Sequence, residues 1–342
     1  MSAINANRRN LMGLGLALMG SNLIGQQAYA SGSVTAAIYP GTWDDTYRNV
    51  IGPALKSAHG IEVAFEPLFA VDQLAKVAAS RGLAPFDTMV LDPGPRAAAI
   101  ARGLLEPFDA SKLSNASKLP AGYVDEYGAA AAAQIVGIAY NPKKLPKPTS
   151  WKDLFEEPFV SRLGLTGFQT TYGTVSLIEM SKVFGGSETN VDPVFEQIAK
   201  ILPKVAAVTP PKALPSLFQQ GQIDVTYTNT NTVAALQAKG VDIDIAFPET
   251  GGISFVTTLH VAKGAENVAN AYKFIDTVIA AQNQTTMMGP PSNFIPINLD
   301  VEPKGLPISS LTELTEFNSH DWLKINPLRA GWIERFNKEM RA

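Results

Sequence analysis

Two neighbouring stretches decide the fold: Gln222-Ile-Asp-Val-Thr-Tyr-Thr-Asn-Thr-Asn-Thr232 and Glu249-Thr-Gly-Gly-Ile-Ser-Phe-Val-Thr-Thr-Leu-His-Val261. The first reads as a buried strand that runs into a loop of hydroxyls and amides, then a helix from about Thr232. The second is a Gly-Gly turn followed by a long strand that carries the chain to a new place. Small polar side chains between a strand end and a helix start suit ligand binding. The first N–H groups of a helix lack partners, and open α/β sheets bind ligands beyond the C-terminal ends of their strands. The same residues also suit ordinary helix capping, so the loop supports two readings until the rest of the chain is considered.

Upstream, the rhythm is strand, helix, strand. Val34 to Tyr39 is a short apolar strand. It ends in Pro40-Gly41-Thr42-Trp43-Asp44-Asp45, from which a helix runs to about Ala58. Gly60 stops that helix. Ile61 to Phe65 alternates as a second strand, and Val71 to Ser80 is helical. Phe86 to Leu91 is a third strand, closed by Asp92-Pro93-Gly94-Pro95, and a helix follows over 96–102. Strands alternating with helices at this spacing predict an α/β fold with a mostly parallel sheet flanked by helices. The alanine run 129–133 reads as tight packing. Gln134 to Tyr140 is a strong strand, followed by a Pro/Lys-rich connector, 141–148, and a short helix at 151–155 that Ser150 caps.

A second block repeats the rhythm. A strand at 163–166 leads through Gly167-Phe168-Gln169-Thr170-Thr171-Tyr172-Gly173 into a helix over 174–184. Helices follow at 192–201 and 212–220, with a strand at 205–208 between them. The Asn/Thr loop, a helix over 232–238 and a strand at 243–247 complete the block. After the strand 253–261 come a helix over 266–281, whose Val268, Tyr272, Ile275 and Ile279 form a stripe, and a final helix over 328–340. Chain crossings near 137 and 252 divide the chain into one lobe of 31–137 with 253–342 and a second lobe of 138–252.

Composition narrows the chemistry. The 342 residues contain no cysteine, which excludes thiol catalysis, disulfides and cysteine-type zinc sites. The three histidines, His59, His260 and His320, are far apart in sequence, so no histidine-based metal site is predicted. Net charge is −3, which gives no pull towards nucleic acid. Neither H-E-x-x-H nor G-x-S-x-G occurs, and no catalytic residue is assigned. Residues 1–30 carry Arg8-Arg9, an apolar core from Leu11 to Leu18 and an Ala28-Tyr29-Ala30 cleavage site, the order of an export signal cut after Ala30. The Arg pair leaves both twin-arginine and general secretion open. Its removal takes two of the 28 basic residues and none of the 31 acidic ones, so the mature chain keeps 26 against 31.

This organisation resembles the extracellular solute-binding proteins of ABC importers, in the broad family that holds spermidine/putrescine-binding and ferric-ion-binding proteins. The resemblance rests on Phe86-Asp-Thr-Met-Val-Leu-Asp92, Gly103-Leu-Leu-Glu-Pro-Phe108, Gly137-Ile-Ala-Tyr-Asn141, Pro148-Thr-Ser-Trp-Lys-Asp-Leu154, Gly221-Gln-Ile-Asp224, Pro248-Glu-Thr-Gly-Gly252 and Ala271-Tyr-Lys-Phe-Ile275, in that order. It implies a two-lobed type II periplasmic binding protein fold with a two-crossing hinge. It further implies a periplasmic monomer that closes on a small-molecule ligand and docks on an inner-membrane ABC permease, with no cofactor and no nucleic acid.

The implied ligand residues are Tyr39, Thr42, Trp43, Asp44, Asp92, Gln169, Thr170, Thr171, Tyr172, Tyr227, Asn229, Asn231, Phe255 and Thr257. Trp43 is either a ligand-facing aromatic or a core plug. The polyamine pattern has an aromatic and then an Asp after Gly251-Gly252, where this chain has Phe255 and Thr257; the missing acid argues against a polyamine. Ferric binders place two adjacent Tyr where this chain has Tyr227, Thr228 and Asn229, and a single phenolate is a poor ferric site. What remains is a small polar organic solute, zwitterionic or anionic, in a cleft of neutral donors. The alternatives are a polyamine or ferric ligand, a receptor feeding a sensor kinase, and an enzyme on the same scaffold.

Overall fold

Strand β1 (Ser33–Ile38) sends Val34, Ala36 and Ile38 to one face of a sheet and Ala37 to the other, and all four are buried. Its first half alternates polar Ser33 and Thr35 with buried Val34 and Ala36, and its end is apolar and buried on both faces. Its neighbours β2 (Glu62–Pro67) and β3 (Thr88–Leu91) pair with it in parallel. Residues 32–339 are described in the computed structural model; the expected export segment and its cleavage site lie outside them.

Helices cover both faces. Helix α1 (Thr42–Thr46) passes through a π turn at Tyr47–Ile51 into α2 (Gly52–His59), which ends on Gly60 in the left-handed conformation. Helices α3 (Ala70–Ala79) and α4 (Pro93–Ala101) follow β2 and β3. After β4 (Val124–Asp125) comes the long strand β5 (Gly128–Tyr140), whose 13 residues are all buried. The alanine run thus lies within a strand that starts six residues before the predicted one. Alanine has little strand preference, so the sequence reading missed it; burial on both faces decides the conformation.

The second block holds β6 (Gly164–Thr166), α5 (Thr171–Lys182), α6 (Asp192–Ile201), β7 (Ala207–Thr209), α7 (Leu214–Gln219), β8 (Val225–Asn229), α8 (Thr230–Gln237) and β9 (Asp244–Ala246). The chain returns through β10 (Ile253–Val261), α9 (Val268–Ile279), α10 (Ala281–Met288) and α11 (Trp322–Glu339). The single helix predicted over 266–281 is divided at Ala280, which adopts extended backbone.

The first sheet has the order β2-β1-β3-β10-β5-β4. Its parallel part is β2-β1-β3; β10 runs antiparallel to both β3 and β5. From Val136 on, β5 takes β8 and then β9 as antiparallel partners within the same sheet. Strands β6 and β7 pair in parallel, and a bridge from Leu163 to Val225 joins them to β8. The sheets are therefore more mixed than a mostly parallel reading implies, because β5 and β10 each pass between the two blocks. Gly137 marks that passage: a Cβ there would lie 2.5 Å from the Ala246 carbonyl oxygen.

The buried side chains form separate clusters, two of them large. Trp43, Tyr47, Phe274 and Phe294 anchor the first; Trp151, Phe168, Phe195 and Tyr227 anchor the second. The sequence places 253–342 with the first lobe, but the structure divides that stretch. Helix α11 puts Trp332 and Phe336 into the second lobe's core, with Phe336 4.7 Å from Phe168, ring to ring. Its N-terminal turns place Trp322 and Ile325 in the same core and also lie on α4, where Asn326 donates to the Gly94 carbonyl at 2.7 Å. A Cβ at Gly94 would meet the Trp322 ring at 2.7 Å, so the glycine permits the approach.

His260 on β10 is fully buried. Its Nδ1 faces the Tyr127 carbonyl at 2.8 Å and its Nε2 faces the Thr258 hydroxyl at 2.7 Å. A neutral ring satisfies both by donating from Nδ1 and accepting at Nε2. Burial pulls the imidazole down to about 4. The unfolded chain then takes up a proton near pH 6.5 that the folded chain refuses until about pH 4. Stability should fall by on the order of 3 kcal/mol across that window from this residue alone. Urea unfolding at a series of pH values checks this: His260→Gln should flatten the slope between pH 6.5 and 4, whereas an unchanged slope would place the titration elsewhere.

Candidate functional site

Four strand ends lead into helix starts. β1 leads to α1, β3 to α4, β6 to α5 and β8 to α8. The polar residues at these junctions meet between the lobes. Asp92, the residue before α4, is buried, and its carboxylate accepts from the Thr257 hydroxyl at 2.8 Å. Its backbone N–H donates to the Tyr39 hydroxyl at 2.9 Å. Thr171, the first residue of α5, reaches the same carboxylate from the opposite lobe.

A polar chain extends from Asp92 through both crossing strands. Gln134 on β5 donates from Nε2 to Thr257 Oγ1 at 2.6 Å. Gln134 Oε1 accepts from Asn229 Nδ2 at 2.6 Å. Asn229 in turn caps α8, its Oδ1 accepting from the Thr232 N–H at 3.0 Å. Buried polar groups need such partners because each unmade bond costs about 1–3 kcal/mol.

The electrostatics follow from burial. Burial pushes the Asp92 carboxyl above the usual carboxylate range, opposed by the hydroxyls of Thr171, Thr257 and Tyr39 and by the charge of Arg329. Burial raises the Tyr39 phenol well above its ordinary value, and the Asp92 charge adds to this. Arg329 comes from α11. Its Nε donates to Thr174 Oγ1 at 2.8 Å and its Nη2 to the Gln169 carbonyl at 2.6 Å, which fixes the guanidinium at the start of α5.

A second group of side chains adjoins the first. Tyr39 and Trp43 meet edge to face with centroids 5.9 Å apart, and Trp43 lies 4.6 Å from Phe294. Helix α1 packs against α8. The first two residues of α8, Thr230 and Asn231, are buried, yet Thr230 Oγ1 and Asn231 Oδ1 have no hydrogen-bond partner. Asn231 Nδ2 reaches the Ser292 carbonyl at 3.4 Å, and the Ser292 hydroxyl accepts from Thr46 at 2.7 Å.

The structure brings Tyr39, Trp43, Asp92, Thr171, Asn229, Asn231 and Thr257 into this region. Thr42 is partly buried at the start of α1. Other candidates have different tasks. Tyr227 is fully buried in the second core, and its hydroxyl donates to the Thr166 carbonyl and accepts from the Thr166 N–H. Phe255 is buried in the same core. Asp44 is paired with Arg48 at 2.8 Å. Thr170 caps α5 by accepting from the Gly173 N–H at 3.1 Å. The Gln169 side chain is exposed, so its backbone carbonyl makes its contribution. Tyr172 is partly buried, its phenol pushed up to about 12 by burial.

Sequence reasoning missed Gln134, Arg329 and Ser292; Thr230 stands among the neutral donors of the polar loop that the sequence singles out. Gln134 offered one cue, a lone amide at the head of an apolar strand. Arg329 offered none, since an arginine on an amphipathic helix reads as a solvated face.

Comparison with known proteins places this geometry. The family described as bacterial extracellular solute-binding protein matches residues 53–314. The spermidine/putrescine-binding periplasmic protein of Escherichia coli is 24% identical over 192 residues, 52% of this chain and 53% of that protein. The chain thus spans about half the length of that relative. The putrescine/cadaverine-binding protein of Pseudomonas aeruginosa is 23% identical over 286 residues, 75% of this chain and 78% of its own. Among solved structures, the periplasmic binding protein AfuA from Actinobacillus pleuropneumoniae, with fructose-6-phosphate bound, has a TM-score of 0.75 at 17% identity. That match covers 91% of this chain and 99% of AfuA.

Thr257 holds the polar chain together, so its hydroxyl is testable without a change of volume. Thr257→Val leaves the Gln134 amide and one Asp92 oxygen without their partner. Unfolding free energy should drop by about 1–3 kcal/mol in urea titration. The Asp92 carboxyl, having lost a donor, should titrate higher still when followed by carboxyl NMR shift. A variant as stable as the parent would mean that water replaces the hydroxyl.

Proposed function

As this chain belongs to the bacterial extracellular solute-binding proteins, we propose that it is the substrate-binding component of an ABC importer. It captures a small polar organic solute, zwitterionic or anionic, between its lobes and delivers it to an inner-membrane permease. One observation carries the placement of the solute. Thr230 Oγ1 and Asn231 Oδ1 are buried without partners at the start of α8, the helix that packs against α1. A buried acceptor with no donor is costly in a folded protein, and a ligand with hydroxyl or amine hydrogens removes that cost.

The chemistry of the cleft supports the ligand class. Thr257 donates to Asp92, so a neutral hydroxyl stands where a polyamine site is expected to offer an acid. Arg329 adds positive charge beside Asp92, which disfavours a second ammonium. Tyr227 is bonded to the Thr166 backbone in the core, which leaves no phenolate there for ferric ion. The relatives' names favour a polyamine and AfuA's bound sugar phosphate favours an anion; the charges of this chain's own cleft agree better with the latter.

The proposal includes export through the segment 1–30 with cleavage after Ala30, a periplasmic location and action as a monomer. It also includes lobe opening about β5 and the start of β10, with no turnover of the solute. Native mass spectrometry of residues 31–342 from a periplasmic extract tests it. The native mass should exceed the denatured mass by one small organic molecule, and Asn231→Ala should shed that adduct while the fold persists. A bare protein whose melting temperature no amine, amino acid, carboxylate, phosphonate or ferric ion raises would overturn the proposal.

A further inference from the structure

Two opposite charges stand on adjoining elements: Asn326, three residues before Arg329 on α11, donates at 2.7 Å to the carbonyl of Gly94, two residues after Asp92. Among the described residues Arg329 makes no ion pair. Its named partners are a hydroxyl and a carbonyl, Thr174 Oγ1 and Gln169 O. Asp92 likewise makes none, and its carboxylate is held by neutral hydroxyls. Asp92 is 9% exposed. Arg329 is partly buried, and loss of hydration pulls its guanidinium below its ordinary value. The carboxylate whose field Arg329 feels first is Asp92.

Desolvated charges held only by neutral groups are costly, and two of them on adjoining elements call for an explanation. A structural ion pair would bring them into contact, which the fold does not do. The charges sit on different bodies. Asp92 precedes α4 in the first lobe; Arg329 is bonded to the start of α5 in the second. The two hydrogen bonds hold the guanidinium plane but occupy only Nε and one Nη2 hydrogen. Both Nη1 hydrogens and the second Nη2 hydrogen remain for another acceptor, in the planar fork that suits an oxyanion.

We propose that Arg329 is the anion-anchoring residue of the cleft and that, with Asp92 opposite, it selects a small amino acid. The ligand carboxylate lies on the Arg329 fork and the ligand ammonium on Asp92. This rests on the solute-binding reading above and narrows its ligand to zwitterions. Tyr39, Thr171 and Thr257 hold the Asp92 carboxylate in place for the ammonium. Their hydroxyls can rotate from donating to Asp92 to accepting from the ligand nitrogen. A diamine would leave Arg329 unpaired next to a second positive charge, and a dicarboxylate would do the same to Asp92. Either mismatch disfavours binding more strongly than the loss of a neutral contact.

The experiment is calorimetric titration of the mature chain with short-chain α- and ω-amino acids, their carboxyl amides, and the diamines and dicarboxylates of matching length. Amino acids should bind, and each amide should bind at least about thirty-fold more weakly than its acid. Arg329→Gln should abolish that preference of acid over amide, and Arg329→Lys should restore part of it. A residue that only fastens α11 to α5 would lower affinity for acid and amide equally, so the ratio separates anchoring from support. Three results overturn the assignment: an unchanged ratio in Arg329→Gln, tight binding of diamines or dicarboxylates, or silence across every series. Diamine or dicarboxylate binding leaves the importer reading standing and rejects only the zwitterion. After silence, the co-purified mass decides the importer reading separately.

Discussion

The antiparallel pairing of β5 with β10 is the interaction on which the rest of the molecule depends. Ile253 faces Val136 at one end of the ladder and Leu259 faces Ala129 at the other. Both strands pass between the lobes, so one continuous ladder links two separate cores. Backbone bonds of this kind hold position while a few residues at the crossing absorb rotation. The ladder also shifts register between Thr257 and Thr258. Such an irregularity bends the strand and re-aims a side chain. Here it lies at the residue whose hydroxyl joins Gln134 to Asp92.

The cleft is wired by neutral groups around a few charges. A carboxylate removed from water keeps its charge only if donors replace the lost hydration. Asp92 obtains them from three hydroxyls that belong to β10, α5 and the loop after β1. One of the three, Thr171, belongs to the second block. The helix starts around Asp92 add fixed partial positive charge without a mobile counter-ion.

Helix α11 gives this arrangement a third link. Trp322 and Asn326 lie on α4, and Trp322 joins Ile325, Trp332 and Phe336 in the second core. The segment before it pairs with the crossing as well: Asn318 bridges to Ile253 and bonds to Gly252 and Thr250. His320 follows, its ring enclosed between Glu179 and Glu188 of the second block. The C-terminal segment thus lies along the hinge and then spans the lobes, which is how an arginine near the chain end comes to the first residues of α5.

Local pattern determined the elements. Apolar runs of strand length, helical stripes and Gly stops placed β1, β3, β8 and β10 and most helices, because those signals act over a few residues. Strand-to-helix junctions pointed to Thr171 and Asn231, whereas the family resemblance pointed to Asp92 and Thr257; a ligand role for all four is a proposal. Local pattern failed where long-range packing outweighs local preference. Ala129 to Ala133 are strand because both faces are covered, although alanine does not favour strands. Tyr227 stands at a strand end like a ligand residue, but its hydroxyl meets the Thr166 backbone 61 residues away. Thr170 and Asn229 are caps, a task the sequence left level with ligand contact. Arg329 lies 155 residues from Thr174 and joins the cleft only because α11 crosses both lobes. The sequence by itself determined which residues stand at strand ends. Which of those ends share a cleft, and which distant charge joins them, was decided by tertiary packing, because hydrogen bonds and Coulomb forces act through space and carry no record of separation along the chain.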